Sequence, residues 1–155
     1  MKIRKATKKD IDEIDRIYVS AETDGMKLQF PKEWKRMSRN FKKNEKLRKK
    51  DFRKDIISKN NYWVVVEEEG KIAGFGNAEI KKNYNEKNGM ITMIYVDDKF
   101  RRRGIGTIIV KELIKWLKNK KVKNIESAAY INNKPSIKMQ TKLGFKPILI
   151  KMRLK

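Results

Sequence analysis

The residues best suited to chemistry form a short basic and glycine-containing loop, Arg101 to Gly106. It lies between a strand-like apolar segment and the clearest helical pattern of the chain. A helix N-terminus presents free N–H groups and the positive end of the helix dipole, so a loop leading into one can bind phosphate. Gly104 and Gly106 let the backbone approach a ligand, and the arginines add positive charge. The loop predicts a phosphate site, although alone it also fits a simple strand-to-helix turn.

Two residue types that often carry catalysis are missing, because the sequence has no cysteine and no histidine. The first absence excludes disulfides, thiolate nucleophiles and cysteine-ligated metals. The second removes the usual general base near neutral pH and the commonest metal ligand. Any reaction must therefore use carboxylates, hydroxyls, amines, backbone groups or water, and we expect no metal.

Length and charge bound the class of protein. The 155 residues are about the size of one domain, and we interpret 1–155 as a single domain. The formal net charge of +22 favours encounter with anions, including nucleic acid and ribosomes. The alternative is that Lys, Ile and Asn are abundant because A/T-rich codons favour them. No apolar run approaches the roughly 20 residues of a membrane span, so the sequence predicts a cytoplasmic protein without membrane contact.

The spacing of apolar residues predicts the elements that position the loop. In order, these are a strand at 3–6, a helix capped by Thr7 and broken at 23–25, one or two helices within 30–59, a hairpin of 62–67 with 71–80, a polar turn at 81–88, a strand at 89–96, a helix from Ile105, a strand at 124–130, a helix capped by Asn133 and ended by Gly144, and a closing strand at 145–154. The order strand, loop, helix, strand in 89–130 predicts a crossover between parallel neighbours.

The loop and a second motif together resemble a known family. Residues 96–106 are similar to the acetyl-CoA signature of the GNAT N-acetyltransferase superfamily, which is Arg or Gln, two residues, Gly, one residue, then Gly or Ala. Further along, Asn133, Ser136 and Gly144-Phe145 match the family's Asn, small residue and Gly-Phe pair around a short helix. With the elements around these motifs, the resemblance covers essentially the whole chain.

The resemblance implies an α/β (α+β) fold of the GNAT type. Its central mixed, twisted sheet would have about six or seven strands flanked by about four helices, with splayed central strands that bind acyl-CoA. The implied activity is transfer of acetyl from acetyl-CoA, bound as co-substrate, to a primary amine by direct attack in a ternary complex.

The resemblance also implies contacts to the donor. The backbone of Ile94 to Val96 would hydrogen-bond the pantetheine arm, with a strand amide facing the oxyanion. Arg101 to Thr107 would hold the pyrophosphate, and Asn133 would touch the pantetheine or the acetyl end. The implied cofactor-binding residues are Ile94, Tyr95, Val96, Arg101, Arg102, Arg103, Gly104, Ile105, Gly106, Thr107, Asn133 and Ser136.

The sequence departs from the family at three positions where proton-transfer residues are customary. Thr92 and Ala128 stand where family members carry Glu, and Gln140 stands where many carry Tyr. We therefore leave the catalytic residues unassigned and expect catalysis chiefly by holding amine and thioester together, with water or an unusual carboxylate taking the proton. Because a thiol has a pKa near 8.5, the CoA thiolate can leave without a strong acid. Candidate replacements are Glu22, Asp24, Glu79, Glu126, Tyr95 and Tyr130.

Two functions and several acceptors stay open at this point. The second function is a non-catalytic basic module that docks on RNA or ribosomes through an acyl-CoA-binding scaffold; the missing acid and base positions favour it, and the intact phosphate loop favours the enzyme. The acceptor could be a small amine, an aminoglycoside, a polyamine, a lysine side chain or a peptide N-terminus. The positive charge argues mildly for acidic or neutral acceptors, and a homodimer is left open.

Overall fold

The computed structural model describes residues 1–83, 86–152 and 154. Within these residues the chain forms five strands and five α-helices, and two short 3-10 turns precede α1 and α4. The strands are β1 (Lys2–Lys5), β2 (Asn61–Glu68), β3 (Lys71–Asn83), β4 (Glu86–Val96) and β5 (Asn124–Ser127). The helices are α1 (Ile11–Gln29), α2 (Trp34–Lys43), α3 (Glu45–Ile56), α4 (Ile105–Asn119) and α5 (Lys134–Lys142).

The strands form one mixed sheet in the order β1-β2-β3-β4-β5. The first four strands pair antiparallel, and β5 pairs parallel with β4 after the crossover through α4. The predicted mixed α/β architecture is therefore confirmed, and so are the hairpin and the crossover. The predicted strand count of six or seven is too high for the described residues, and the predicted helix count of four is one too low.

Helices cover both faces of the sheet. On one face α4 packs its apolar stripe, including Ile109 and Leu113, against Val64 and Val66 of β2. On the other face Ile14 and Ile17 of α1 and Phe52 of α3 pack against the sheet. Their partners there are Trp63 and Val65 of β2 and Phe75 of β3. Because both faces are covered, the apolar run of β2 is buried continuously and does not alternate with polar residues.

Gly76 of β3 is required where α4 lies closest to the sheet. A Cβ added there would lie 2.3 Å from Ile109 Cγ2 and 3.1 Å from the carbonyl oxygen of Met93. We expect Gly76→Ala to lower the free energy of unfolding by about 1–3 kcal/mol through overpacking. Gly25 of α1 has nothing within 4 Å of an added Cβ, so Gly25→Ala should instead raise stability by about 0.5–1 kcal/mol. Urea unfolding of the two variants measures this difference, and equal stabilities would contradict it.

The break predicted at 23–25 is wrong, because α1 continues to Gln29. Threonine, aspartate and glycine favour turns, but here each is accommodated in the helix. The hydroxyl of Thr23 donates to the carbonyl of Val19 (2.7 Å), and Asp24 pairs with Lys27 (3.0 Å). A glycine in a helix costs only about 1 kcal/mol relative to alanine. The last turn of α1, residues 26–29, therefore lies beyond the predicted break.

Two strand boundaries also differ from the prediction. Residues 81–83 and 86–88, predicted to be a polar turn, extend the β3–β4 ladder with the pairs Lys81↔Asn88, Lys82↔Lys87 and Asn83↔Glu86. Residues 84 and 85 of the predicted turn lie outside the described part. The strand predicted at 124–130 is shorter, since β5 ends at Ser127. The first extension was predicted to be a turn because its residues are polar. They can be polar within strands because this end of the hairpin extends beyond the core.

The closing strand predicted at 145–154 is not formed in the described residues 145–152 and 154. Alternating hydrophobicity gives a strand only if an edge is available to pair with, and β5 offers only four residues. Pro147 lacks the N–H group that a ladder needs. The apolar side chains of the segment are therefore largely exposed: Ile148, Leu149, Ile150, Met152 and Leu154. Among the described residues, no helix is long and apolar enough to cross a membrane.

Candidate functional site

A gap opens in the sheet between β4 and the chain that follows β5. The parallel ladder stops at the pair Ile91↔Ser127. At the same place β4 bulges, because Asn77 and Ala78 of β3 pair with Met93 and Ile91, which leaves one residue of β4 unmatched. A bulge bends its strand and increases the local twist, so residues 92–96 turn away from 128–130. The pairing of β4 with β5 therefore ends partway along β4, as strands that splay apart require.

The open edge of β4 presents free backbone groups to this gap. The N–H of Asp97 donates to the carbonyl oxygen of Ala73 in β3 (2.9 Å). Neighbouring residues of a strand point their backbone groups in opposite directions, so those of Tyr95 also point to β3. The N–H and C=O groups of Ile94 and Val96 point the other way, into the gap. At its base the hydroxyl of Ser127 is buried without a hydrogen-bond partner among the described residues.

The loop after β4 forms a cradle of N–H groups at the start of α4. A 3-10 turn over Asp98–Phe100, capped by the carboxylate of Asp97 and anchored by the buried ring of Phe100, leads into it. Arg102 (φ 66°) and Gly104 (φ 79°) both adopt left-handed conformations. Successive turns of this kind aim neighbouring N–H groups at one point and form an anion-binding nest. Within the described residues, the N–H groups of 102–107 meet no acceptor.

The three arginines of the loop are not equivalent. Arg101 pairs with Asp98 (2.6 Å). Arg103 lies over the ring of Phe100 and is 3.4 Å from carboxylate oxygens of Glu68 and Glu69 in the β2–β3 turn. Arg102 has no ion-pair partner among the described residues. The sequence suggested three equal phosphate anchors, whereas in the structure two of the charges are partly neutralised and the third is free.

Gly106 brings the loop, β4 and α5 together. A Cβ added to Gly106 would lie 3.9 Å from side-chain carbons of Ile94, Val96 and Met139. The cradle and α5 therefore lie next to the end of β4, and we call the region that they border together with its open edge the groove. Sequence reasoning did not single out Met139, since a methionine at helical spacing is an ordinary core residue.

Asn133 and Ser136 lie at the start of α5, as predicted, but their side chains are engaged within the helix. The Asn133 Oδ1 atom accepts from the N–H of Ser136 (3.2 Å) and caps α5. The hydroxyl of Ser136 accepts from Gln140 Nε2 (3.0 Å). Gln140, at the customary tyrosine position, is buried and braces this turn.

The customary base positions hold no proton acceptor of the expected kind. The hydroxyl of Thr92 donates to Oδ1 of the buried Asn77 (2.5 Å) and thereby ties the bulge of β4 to β3. Among the candidate replacements, Glu79 pairs with Lys81 (2.8 Å) and Glu126 is exposed. The described residues contain no group of three or more carboxylate, histidine or cysteine side chains that could hold a metal.

A carboxylate and two phenols meet on the α1 face of β4. The hydroxyl of Tyr95 donates a short hydrogen bond to Oε1 of Glu22, and the ring of Tyr18 packs edge-on against Tyr95 with centroids 5.2 Å apart. Burial, and then the adjacent Glu22 carboxylate, raise the pKa of Tyr95 far above its usual value. The same causes raise the pKa of Tyr18 to about 12. Both phenols therefore stay protonated at neutral pH, and that of Tyr95 acts as a donor.

The architecture is that of acetyltransferases of known structure. The aminoglycoside N-acetyltransferase AAC(6')-Iy, solved in complex with CoA, matches with a TM-score of 0.74 at 18% identity, over 99% of this chain and 93% of that one. A mutant of the BH1408 protein from Bacillus halodurans matches with a TM-score of 0.79 at 20% identity, over 100% of this chain and 99% of that one. At these identities the likeness shows the fold.

Comparison of the sequence with known families assigns the chain to a family. The acetyltransferase (GNAT) family model matches residues 26–145, and the chain belongs to this family. Phosphinothricin N-acetyltransferase of Streptomyces viridochromogenes is 27% identical over 84 residues, which are 54% of this chain and 46% of that protein. N-alpha-acetyltransferase 30 of Xenopus laevis is 37% identical over 59 residues, 38% of this chain and 22% of that protein. The matches thus span less than half the length of these curated relatives.

Proposed function

We propose that this protein transfers acetyl from acetyl-CoA to a primary amine by direct attack in a ternary complex. The observation that carries the proposal is the run of six successive N–H groups of 102–107, which meet no acceptor among the described residues and follow the open edge of β4 in the chain. An ester of pyrophosphate with an amide-containing arm needs this pair of features. A basic module that only docks on RNA would have no use for the unpaired strand edge.

Different residues of the groove bind different parts of the donor. The N–H groups of 102–107 and the N-terminal dipole of α4 bind the pyrophosphate, and the free guanidinium of Arg102 adds charge. The backbone groups of Ile94 and Val96 pair with the amides of the pantetheine arm as an added strand would. Asn133 and Ser136 hold the start of α5 against the groove and leave the Nδ2 group of Asn133 free for the arm.

The reaction needs little more than positioning. The amine nitrogen attacks the thioester carbonyl, a C–N bond forms, the C–S bond breaks and the thiolate leaves. An N–H of the β4 edge, at Ile94 or Val96, stabilises the oxyanion. A thiolate is a good leaving group near neutral pH, so the buried Gln140 in place of a tyrosine acid does not stop the reaction. Alignment of the two reactants supplies the main rate enhancement.

We expect acetyl-CoA to raise the melting temperature by several degrees. A ligand at about 100 times its Kd stabilises by about 2.7 kcal/mol, and about 2–4 °C per kcal/mol is usual at this chain length. S-acetylpantetheine, which lacks the pyrophosphate, is the matched control and should give a much smaller shift. Thiol release with a panel of amines then tests turnover. An unchanged melting curve at saturating acetyl-CoA would refute the proposal, and a steeply salt-dependent affinity for RNA would then favour the docking module.

A further inference from the structure

Glu22 is a carboxylate without a cation in a strongly basic protein. It lies half-buried on α1, and among the described residues its only hydrogen-bond partner is the phenol of Tyr95, which donates to Oε1. Its Oε2 atom has no partner there. Two largely buried carboxylates on or beside α1 do have cationic partners: Asp15 pairs with Arg48 (2.6 Å), and Asp97 pairs with Arg16 (2.7 Å).

The position of Glu22 relates it to the groove. Tyr95 lies in the stretch of β4 beyond the end of the β5 ladder, between the two residues whose backbone groups point into the gap. Its side chain projects to the α1 face and ends at Glu22. The ring of Tyr18 packs edge-on against Tyr95 on the same face. Glu22 and the phenols of Tyr18 and Tyr95 therefore lie together on the α1 side of β4.

This arrangement has the chemistry of an ammonium site. A carboxylate attracts the charge, and the faces of tyrosine rings attract cations as well. The phenol of Tyr95 holds one carboxylate oxygen in place and leaves the other for a ligand. The donor loop leads into α4, on the opposite face of the sheet. An acceptor approaching from the α1 face would therefore meet the thioester in the gap without crossing the donor.

We propose that Glu22 binds the cationic amino group of the acceptor, so that the acceptors of this protein are alkyl amines that are protonated in solution. The inference rests on the proposed function and names its acceptor class. Glu22, directly or through one water, takes a proton from the ammonium and frees the nitrogen lone pair for attack. The second proton leaves the nitrogen as the amide forms and passes through water to the departing thiolate. The net charge of +22 suggests a preference for acidic acceptors. At the acceptor site, the negative charge of Glu22 favours a cationic acceptor instead.

The test compares Glu22→Gln with Glu13→Gln. Both changes remove one negative charge from α1 by the same substitution, but Glu13 pairs with Arg16 on the helix surface. Thiol release is measured with spermidine, kanamycin A and a peptide with a free N-terminal glycine, and the best acceptor is used for full kinetics. We expect Glu22→Gln to lower kcat/KM by about tenfold or more. The KM should rise because truncating one partner of a charge pair weakens binding, and kcat should fall because the amide cannot take the proton. Glu13→Gln should stay within about twofold of the wild type.

The acetyl-CoA melting shift separates the two proposals. It should be the same in Glu22→Gln as in the wild type, which also shows that the variant is folded. A normal shift with unchanged kcat/KM, or with equal losses in both variants, overturns the role of Glu22 and leaves the proposed function standing. Turnover of none of the three amines by the wild type overturns the acceptor class. Loss of the acetyl-CoA shift in the wild type refutes the proposed function itself.

Discussion

Gly104→Glu is expected to abolish the acetyl-CoA-induced rise in melting temperature. Gly104 is left-handed (φ 79°) and immediately precedes α4, among the N–H groups that form the cradle. Glutamate would bring a carboxylate to the point where the pyrophosphate must bind, and like charges placed together cost several kcal/mol. We expect affinity to fall by about 100-fold or more, which is about 2.8 kcal/mol. Isothermal titration with acetyl-CoA gives the affinity, and the melting shift confirms it.

The matched control for this substitution is Gly70→Glu. Gly70 has nearly the same backbone conformation (φ 72°), and at both positions an added Cβ would meet nothing within 4 Å. The two variants therefore share the charge change and the left-handed strain, which is about 1–2 kcal/mol, but only one of them lies in the cradle. Gly70→Glu should lose stability and keep the acetyl-CoA shift. If Gly104→Glu also kept it, the cradle would not be the pyrophosphate site.

The parts of the site that are local in sequence were predictable. The loop and the start of α4 follow from a glycine-containing turn between a strand and an apolar helix, and the left-handed Gly104 meets that expectation. Asn133 caps α5 as its residue type predicts. Pairing of β4 with β5 after a helix crossover was also readable from element order. For the loop and the cap, the determining interactions lie within one or two turns of chain.

The parts that depend on distant contacts were not predictable from spacing. The hydrogen bond from Tyr95 to Glu22 joins residues 73 positions apart, and spacing along the chain does not indicate such a pair. The division of the loop arginines depends on the β2–β3 turn, whose Glu68 and Glu69 lie beside Arg103 only in the folded sheet. The prediction of a strand at 145–154 was wrong because alternating hydrophobicity is a local pattern, whereas a strand also needs a partner strand from elsewhere in the chain.

The placement of α1 depends on an ion pair that the sequence did not reveal, between Asp15 of α1 and Arg48 of α3. The guanidinium donates from Nε to Asp15 Oδ1 (2.6 Å) and from Nη2 to Oδ2 (3.1 Å). The Nη1 atom of Arg48 donates to the carbonyl of Phe41 in the last turn of α2 (2.7 Å). The Cζ atom of Arg48 lies 4.6 Å from the centre of the Phe41 ring. Both charged side chains are almost fully buried, at 7% and 10% exposed. This one contact joins all three helices of the face that carries Glu22.

We expect Asp15→Ala to lower the free energy of unfolding by about 3–5 kcal/mol, because removing one partner leaves a buried charge uncompensated. Asp12→Ala is the control: its carboxylate pairs with Lys49 (3.0 Å) but is 79% exposed, so its loss should cost much less. Replacing both partners, as Asp15→Leu with Arg48→Met, removes both charges and should recover most of the stability lost in Asp15→Ala. Urea unfolding of the three variants measures these differences. Equal losses for Asp15→Ala and Asp12→Ala would show that the pair does not hold the helices, whereas recovery in the double variant would locate the cost in the unpaired arginine.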